Sequence, residues 1–428
     1  MDETLLVAAA YLSRVAEPAN LAVYEFVTEY GLAEAARLIR RGDVPEPVAR
    51  ATDARRAHAD PEVDLAAAAR NEIRLITADD PAWPHFAFSA LHGATNRYRR
   101  RRAASSTATE EQRFACVPPL ALWLKGAGDL QTAGLHSAAI VGSRASTAYG
   151  NQVAAELAYA LGRRDITVVS GGAFGIDAAA HRGVLAAEGP SVLVSAAGLD
   201  RPYPSGNAAL YDRTAELGVL VSERPPGSAP FRQRFLSRNR LIAALGTVTV
   251  VVEAARRSGA LNTARHARTL GRRVLAVPGP ITSTMSTGCH ELLAREEHPA
   301  GVVISVDDVV RSCGSMNASQ PERPDSSALT GESGRFGATG AIGVRRGEAG
   351  GAALGQSDRR GALGEVEIDL LEGFPPTDVV TEAELSYLSG VPMMFVAAGL
   401  RALTDCGLVL QTSTGFRLVP QADRGSDG

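Results

Sequence analysis

Residues 168–183 read VVSGGAFGIDAAAHRG. A short apolar run closes at Ser170, Gly171, Gly172 and Gly175 turn the chain, and the residues from Ile176 have helical spacing. Strand, glycine turn and helix in that order form the repeating unit of a parallel α/β sheet, whose ligands sit where such turns feed helix N-termini. The amides of such a turn favour an anion. The competing reading is that the same glycines only let a helix pack tightly on a strand.

The pattern continues on both sides. From Ala138 to about Val310, AAIVG, ITVVS, SVLVSA, GVLVSE, TVTVVVE and RVLAVPG alternate with helical stretches such as TAYGNQVAAELAYALGRR and ALNTARHARTLG. Unbroken apolar runs are what strands covered on both faces require. The fold class expected is α/β, an extended Rossmann-like, doubly wound, mostly parallel sheet over residues 138–312. Upstream, residues 1–60 read as a small helical domain of SAM or helix-hairpin-helix type, with Gly31 and Gly42 as helix stops. Residues 61–137 read as a connecting region with an exposed insertion near 93–113, where an arginine run precedes Ser, Thr and acids. Residues 313–364, rich in Gly, Ser, Ala and Pro, read as a flexible linker. In 365–420, EVEIDLLEGF, TEAELSYLSGV and PMMFVAAGLRALTDCG read as three helices, and LVLQTSTGFRLV as a hairpin, the order of a winged-helix domain.

Composition narrows the function classes. The chain has 428 residues, 45% of them apolar, and a formal net charge of −3, so it is not a globally basic nucleic-acid binder. No apolar run is long enough to span a membrane and no secretory pattern opens the chain, so a cytoplasmic protein is expected. The four cysteines form no CxxC pair, and no metal or cofactor is expected. Lys125 is the only lysine. Ten arginines fall between Phe231 and Arg273 against one acid, Glu253, a local imbalance that coding bias toward arginine does not explain.

Four polar turns lie at the carboxyl ends of the expected strands. Gly142, Ser143 and Arg144 follow the first; Ser170, Gly171, Gly172 and Gly175 follow the second. AAGLDRPYPSGN follows the third, and Ser258, Gly259 and Thr263 follow the strand that ends at Glu253. Together they point to a phosphate-binding edge. Neither GxGxxG nor GxxxxGK[ST] is present, and no acid ends the second strand to hold a ribose, which argues against a dinucleotide. FRQRFLSRNRLIAAL adds Arg232, Arg234, Arg238 and Arg240 around Phe231 and Phe235. Rings that stack on bases beside guanidinium groups that hold a backbone suit single-stranded nucleic acid, although Phe235 also fits a core position. Asp177 and His181, four apart, read as a local pair or helix cap rather than a catalytic base. No catalytic residue is assigned.

In this order, IVGSRAST, VVSGGAFGIDAAAHRG, GLDRPYPSGN, SERPPG, RNRLIAAL, VVVEAARRSGALNTARHA, GRRVLAVPGP and GCHELL resemble the DprA/Smf family of DNA-processing proteins. IRLITADDPAWP and LALWLKG extend the likeness upstream. The resemblance implies a non-enzymatic protein that binds and protects single-stranded DNA and loads the RecA recombinase onto it in natural transformation and recombination. It also implies a homodimer through the Rossmann-like domain. Carried over by motif, Gly142, Ser143, Arg144, Gly171, Gly172 and Gly175 would contact phosphate, Arg238, Asn239 and Arg240 would line a basic pocket, and Ser258, Gly259 and Thr263 would form its far wall. Leu236 stands where the family commonly has proline.

Two other readings compete. A nucleotide-processing enzyme resembling the phosphoribohydrolases would need a glutamate after its glycines, whereas Glu253 precedes them here. A duplex-binding regulator would need a basic recognition helix, and the expected one carries only Arg401.

Overall fold

The computed structural model describes residues 2–104, 117–314, 379–389 and 393–419, with Glu367, Leu370, Leu371 and Phe374. Its centre is a nine-stranded sheet. Six strands, β3 (Ser137–Val141), β4 (Thr167–Ser170), β5 (Ser191–Ser195), β6 (Val219–Ser222), β7 (Val248–Val251) and β8 (Arg273–Ala276), are the apolar runs read above. They lie parallel in the order β6-β5-β4-β3-β7-β8. The order reverses at β3, and that switch point is where an open parallel sheet binds its ligand.

Three further strands extend the sheet. β1 (Ile73–Ile76) and β2 (Leu122–Lys125) run antiparallel on the β6 side, and β9 (Gly301–Val302) adds a parallel edge beyond β8. Part of the expected connecting region is therefore sheet.

Alternation along each strand divides the core in two. Ala138, Ile140, Val168, Val248 and Val250 face a layer formed by α8 (Ala148–Gly162), α9 (Ile176–Ala186) and α14 (Val306–Gly314). Ala139, Val141, Val169 and Val251 face the opposite layer, formed by α6 (His85–Ala104), α11 (Arg232–Leu245), α12 (Gly259–Thr269) and α13 (Thr287–Leu293). α7 (Leu130–Ala133) and α10 (Ala208–Leu217) complete this region. Full burial of each of these valines and isoleucines is worth roughly 1.5–3 kcal/mol.

The N-terminal helices are α1 (Glu3–Val15), α2 (Leu21–Tyr30), α3 (Leu32–Arg41), α4 (Glu46–Arg56) and α5 (Pro61–Arg70), ten residues more than expected. They enclose Tyr11, Leu12, Val15, Phe26 and Ile39. Two contacts fasten them to the sheet: Trp123 Nε1 donates to Ser13 Oγ at 3.2 Å, and Arg224 Nη1 donates to the carbonyls of Ser13 and Ala16. Glu17 accepts from Arg234 Nη2 at 2.7 Å and also pairs with Arg55.

The insertion corrects an expectation. Its first part is the end of α6, whose Ala87, Phe88, Leu91, Ala94 and Tyr98 are buried in the main core while Arg97 and Arg100 stay exposed. The linker expectation falls outside the described residues beyond Cys313 and Gly314, which end α14, Cys313 being buried in the core; of the first expected C-terminal helix only Glu367, Leu370, Leu371 and Phe374 are described, Leu370 and Phe374 being buried with the C-terminal cluster. The rest of the C-terminal part is α15 (Glu382–Ser389), α16 (Met393–Asp405) and an antiparallel hairpin of β10 (Val409–Gln411) and β11 (Phe416–Leu418), packed around Leu385, Leu400 and Leu403. Among the described residues no helix is long and apolar enough to cross a membrane.

Candidate functional site

A cavity of about 600 Å³ opens over the carboxyl ends of β3, β4 and β7, between the starts of α11 and α12. Among the described residues its arginines are Arg144, Arg232, Arg238, Arg256, Arg257 and Arg265, and its one carboxylate is Asp177. Such a concave basic surface focuses potential toward an anionic ligand. Phe235 stands in its wall, half-buried, with the Tyr203 ring 5.7 Å away at 41° and the Arg144 guanidinium 5.1 Å from its centroid.

Of the residues expected from sequence, Gly142, Ser143, Arg144, Phe235, Arg238, Asn239, Ser258, Gly259 and Thr263 line this cavity. Ser170, Gly171, Gly172, Gly175 and Arg240 do not. Ser170 is fully buried and donates to the Ile140 carbonyl at 2.6 Å. Arg240 is fully buried too, its Nη2 2.6 Å from Glu223 Oε1, so it joins α11 to the end of β6 instead of facing ligand. Arg234, on the same helix, is taken up by Glu17.

The glycine turns are packed against protein. The Gly171 amide donates to Asp177 Oδ2 at 3.1 Å, and a Cβ there would meet Arg238 Nη2 at 2.6 Å. Gly175 adopts φ 76° and ψ −128°, and a Cβ on it would overlap the carbonyl oxygens of Ser143 and Arg144, the latter at 2.5 Å. Gly172 abuts Leu193 and accepts from Asn207 Nδ2. This revises the expectation that their amides bind phosphate: the carboxylate of Asp177 already occupies the turn before α9.

A second internal carboxylate fills the next helix start. Glu253 Oε2 accepts from the Thr147 amide at 2.9 Å and Oε1 from its hydroxyl at 2.6 Å, while the Glu253 carbonyl takes the Ser143 amide. The N-termini of α8 and α9 thus carry their negative charge in the protein itself. α12 differs. Ser258 caps it by accepting from the Ala260 amide, its first residues line the cavity, and nothing lies within 4 Å of the position a Gly259 Cβ would take. At this rim the start of α12 and the arginines are therefore the groups whose chemistry suits an anion.

Arg238 is a positioning residue. It is buried, and its Nη1 donates to the carbonyls of Gly171, at 2.8 Å, and Val194. It lies beside Asp177, whose carboxyl is pushed up by burial and drawn back by Arg238 and Arg144. His181 does not pair with Asp177: its Nδ1 meets Ser191 Oγ at 2.9 Å, and burial, with Arg238 nearby, pushes it down to about 3. His266, pushed down by burial to about 4, meets the Leu236 carbonyl at 3.3 Å, and α11 is continuous through that departure from the family pattern. Among the described residues no three His, Cys, Asp or Glu side chains group for a metal ion.

Arg256, Arg257, Arg265, Asn262 and Tyr203 line the cavity without having been assigned to it beforehand. Tyr203 lay in the turn AAGLDRPYPSGN, and the Arg256–Arg257 pair lay between Glu253 and Ser258, where the local shortage of acids was the signal.

The chain matches the family model described as DNA recombination-mediator protein A over residues 107–314. It is 48% identical over 315 residues to the putative DNA processing protein DprA of Mycobacterium tuberculosis, across 74% of this chain and 77% of that protein. The chain belongs to the DprA family. DNA processing protein DprA of Streptococcus pneumoniae is 38% identical over 192 residues, 45% of this chain and 66% of that protein. The X-ray structure of the Streptococcus pneumoniae protein superposes with a TM-score of 0.53 at 27% identity, covering 72% of this chain and 98% of that one. Membership makes this a DNA-processing and recombination protein built on the Rossmann-like sheet of the family.

Proposed function

We propose that the cavity binds single-stranded DNA without chemical change, with phosphates held by Arg144, Arg232, Arg256 and Arg257 and the N-terminus of α12, and a base stacked against Phe235. The observation that carries this reading is the juxtaposition of a half-buried aromatic pair, Phe235 and Tyr203, with arginines that outnumber carboxylates six to one among the described residues of the cavity wall. Phosphates alone would need only the cations, and a duplex keeps its base faces covered. A ring beside guanidinium groups suits unpaired bases, whose π-faces it accepts without regard to sequence.

In this role the protein shields the strand in the cytoplasm and loads the RecA recombinase onto it during recombination and natural transformation, as a homodimer through the Rossmann-like domain. The C-terminal segment, read as a winged helix, serves a partner rather than the duplex groove. Membership of the DNA-processing family supports the setting.

The test is fluorescence polarisation with labelled oligo-dT and a duplex of equal length. The wild-type protein is expected to prefer the single strand, and Phe235→Ala to weaken that binding by about 1–3 kcal/mol, the usual worth of a stacked base. Equal affinity for duplex, or an unaffected Phe235→Ala protein, would remove the stacking role and with it the preference for unpaired strands.

A further inference from the structure

The basic surface does not stop at the cavity. α12 starts at its wall and is 11 residues long, about 16 Å at the rise of an α-helix. Arg265 lines the cavity, and Arg268 follows one turn later on the same side. At the far end of α12 the Thr269 carbonyl accepts from Arg97 Nη2 of α6 at 3.0 Å, and Arg100 lies one turn further along α6. Arg97, Arg100 and Arg265 are exposed and Arg268 is half-buried.

Glu25 engages Arg99, 3.0 Å away. Among the described residues none lies within ion-pair distance of Arg97, Arg100 or Arg268. The surface is also firmly mounted: Phe88, Leu91 and Tyr98 anchor α6 in the core, and Arg272 Nη2 donates to the Ala87 carbonyl at 3.3 Å. All of α6 precedes residues 107–314, the segment that the family model matches.

We propose that the adjoining outer faces of α12 and α6 form a second phosphate-binding stretch that carries the backbone of a longer single strand away from the cavity. The proposal rests on the single-strand reading of the cavity. Guanidinium groups spaced along two rigid helices suit a flexible polyanion that bends to meet them, and a strand just filling the cavity does not reach α6.

The experiment compares oligo-dT of about 6 and about 30 nucleotides, bracketing a single site and its extension, on the full chain. Arg97→Gln with Arg100→Gln should leave the short strand's affinity unchanged. For the long strand, two lost phosphate contacts should flatten the dependence of log affinity on log salt by about 1.4, or about 25-fold between 1 M and 0.1 M salt. Arg97→Lys with Arg100→Lys should keep long-strand binding, which separates charge from the Thr269 contact. An unchanged slope for the long strand overturns the proposal. So does an equal loss on the short strand, which would mean the variants act through the cavity, or an equal loss on a duplex of about 30 base pairs, which would mean a general polyanion surface. If the short strand fails to bind the wild-type protein, the cavity reading itself fails and the extension falls with it.

Discussion

Substituting Gly175 by alanine tests whether the glycine turns serve packing or ligand approach. The residue sits at φ 76° and ψ −128°, far from the backbone wells of L-residues, and holding alanine there costs about 1–3 kcal/mol. The new methyl would also overlap the carbonyl oxygens of Ser143 and Arg144, and forcing an atom into a packed site adds about 1–3 kcal/mol. The sum, about 2–6 kcal/mol, corresponds to a fall in melting temperature on the order of 5–20 °C for a core of this size. Relief requires the Ser143–Arg144 turn to move away, so Arg144 leaves its place over Phe235 and oligonucleotide affinity falls as well. Gly259→Ala is the control: it meets no atom within 4 Å and should change stability by less than about 1 kcal/mol. Both proteins would be followed by scanning calorimetry and by polarisation with labelled oligo-dT. A Gly175→Ala protein as stable as the wild type, or a Gly259→Ala protein destabilised as much as it, would refute the packing argument and return the turn to ligand contact.

Other expectations follow from the buried charges. Glu223→Ala leaves the fully buried Arg240 without its carboxylate and should cost about 3–5 kcal/mol in chemical denaturation, while the folded protein keeps its oligonucleotide affinity because Arg240 is off the cavity. At Glu17 burial raises the pKa, but the hydrogen bond from Arg234 and the charges of Arg224, Arg234 and Arg55 outweigh it and hold the group down to about 2. Because that lies below its ordinary value of 4.5, its stabilising contribution is complete above pH 4.5 and is lost as pH falls toward 2. Glu17→Gln should therefore flatten the acid limb of the stability profile. An unchanged acid limb would remove Glu17 as the group linking α1, α4 and α11.

The legibility of the chain differed between elements for physical reasons. The six central strands could be read because both faces are buried, which makes each an unbroken apolar run such as VVS after Thr167. IRLI and LWLK each carry a charged residue, Arg74 and Lys125, and pair antiparallel on the β6 side of the sheet, so neither shows the unbroken apolar run followed by a glycine turn and helix that announces the parallel strands. In α6 the arginine run suggested an exposed segment, whereas Leu91, Ala94 and Tyr98, at helical spacing, are what place it in the core.

At the site, residue type was readable and partnership was not. Arg234 and Arg240 look like Arg232 in sequence, but their carboxylates come from Glu17, 217 residues away, and Glu223, on another element. The glycines had the same ambiguity, since a close protein contact and a close ligand contact both demand the absent side chain. Only the positions of Asp177 and Glu253 separate the two cases.

The claim that the cavity grips the sugar-phosphate backbone of an unpaired strand is tested most directly by the salt dependence of oligo-dT binding to the wild type and to Arg144→Ala with Arg257→Ala. The account predicts a steep decline of log affinity with log salt for the wild type, and a slope shallower by about 1.4 in the variant, about 0.7 for each lost phosphate contact. Binding insensitive to salt, or an identical slope in the variant, would contradict it.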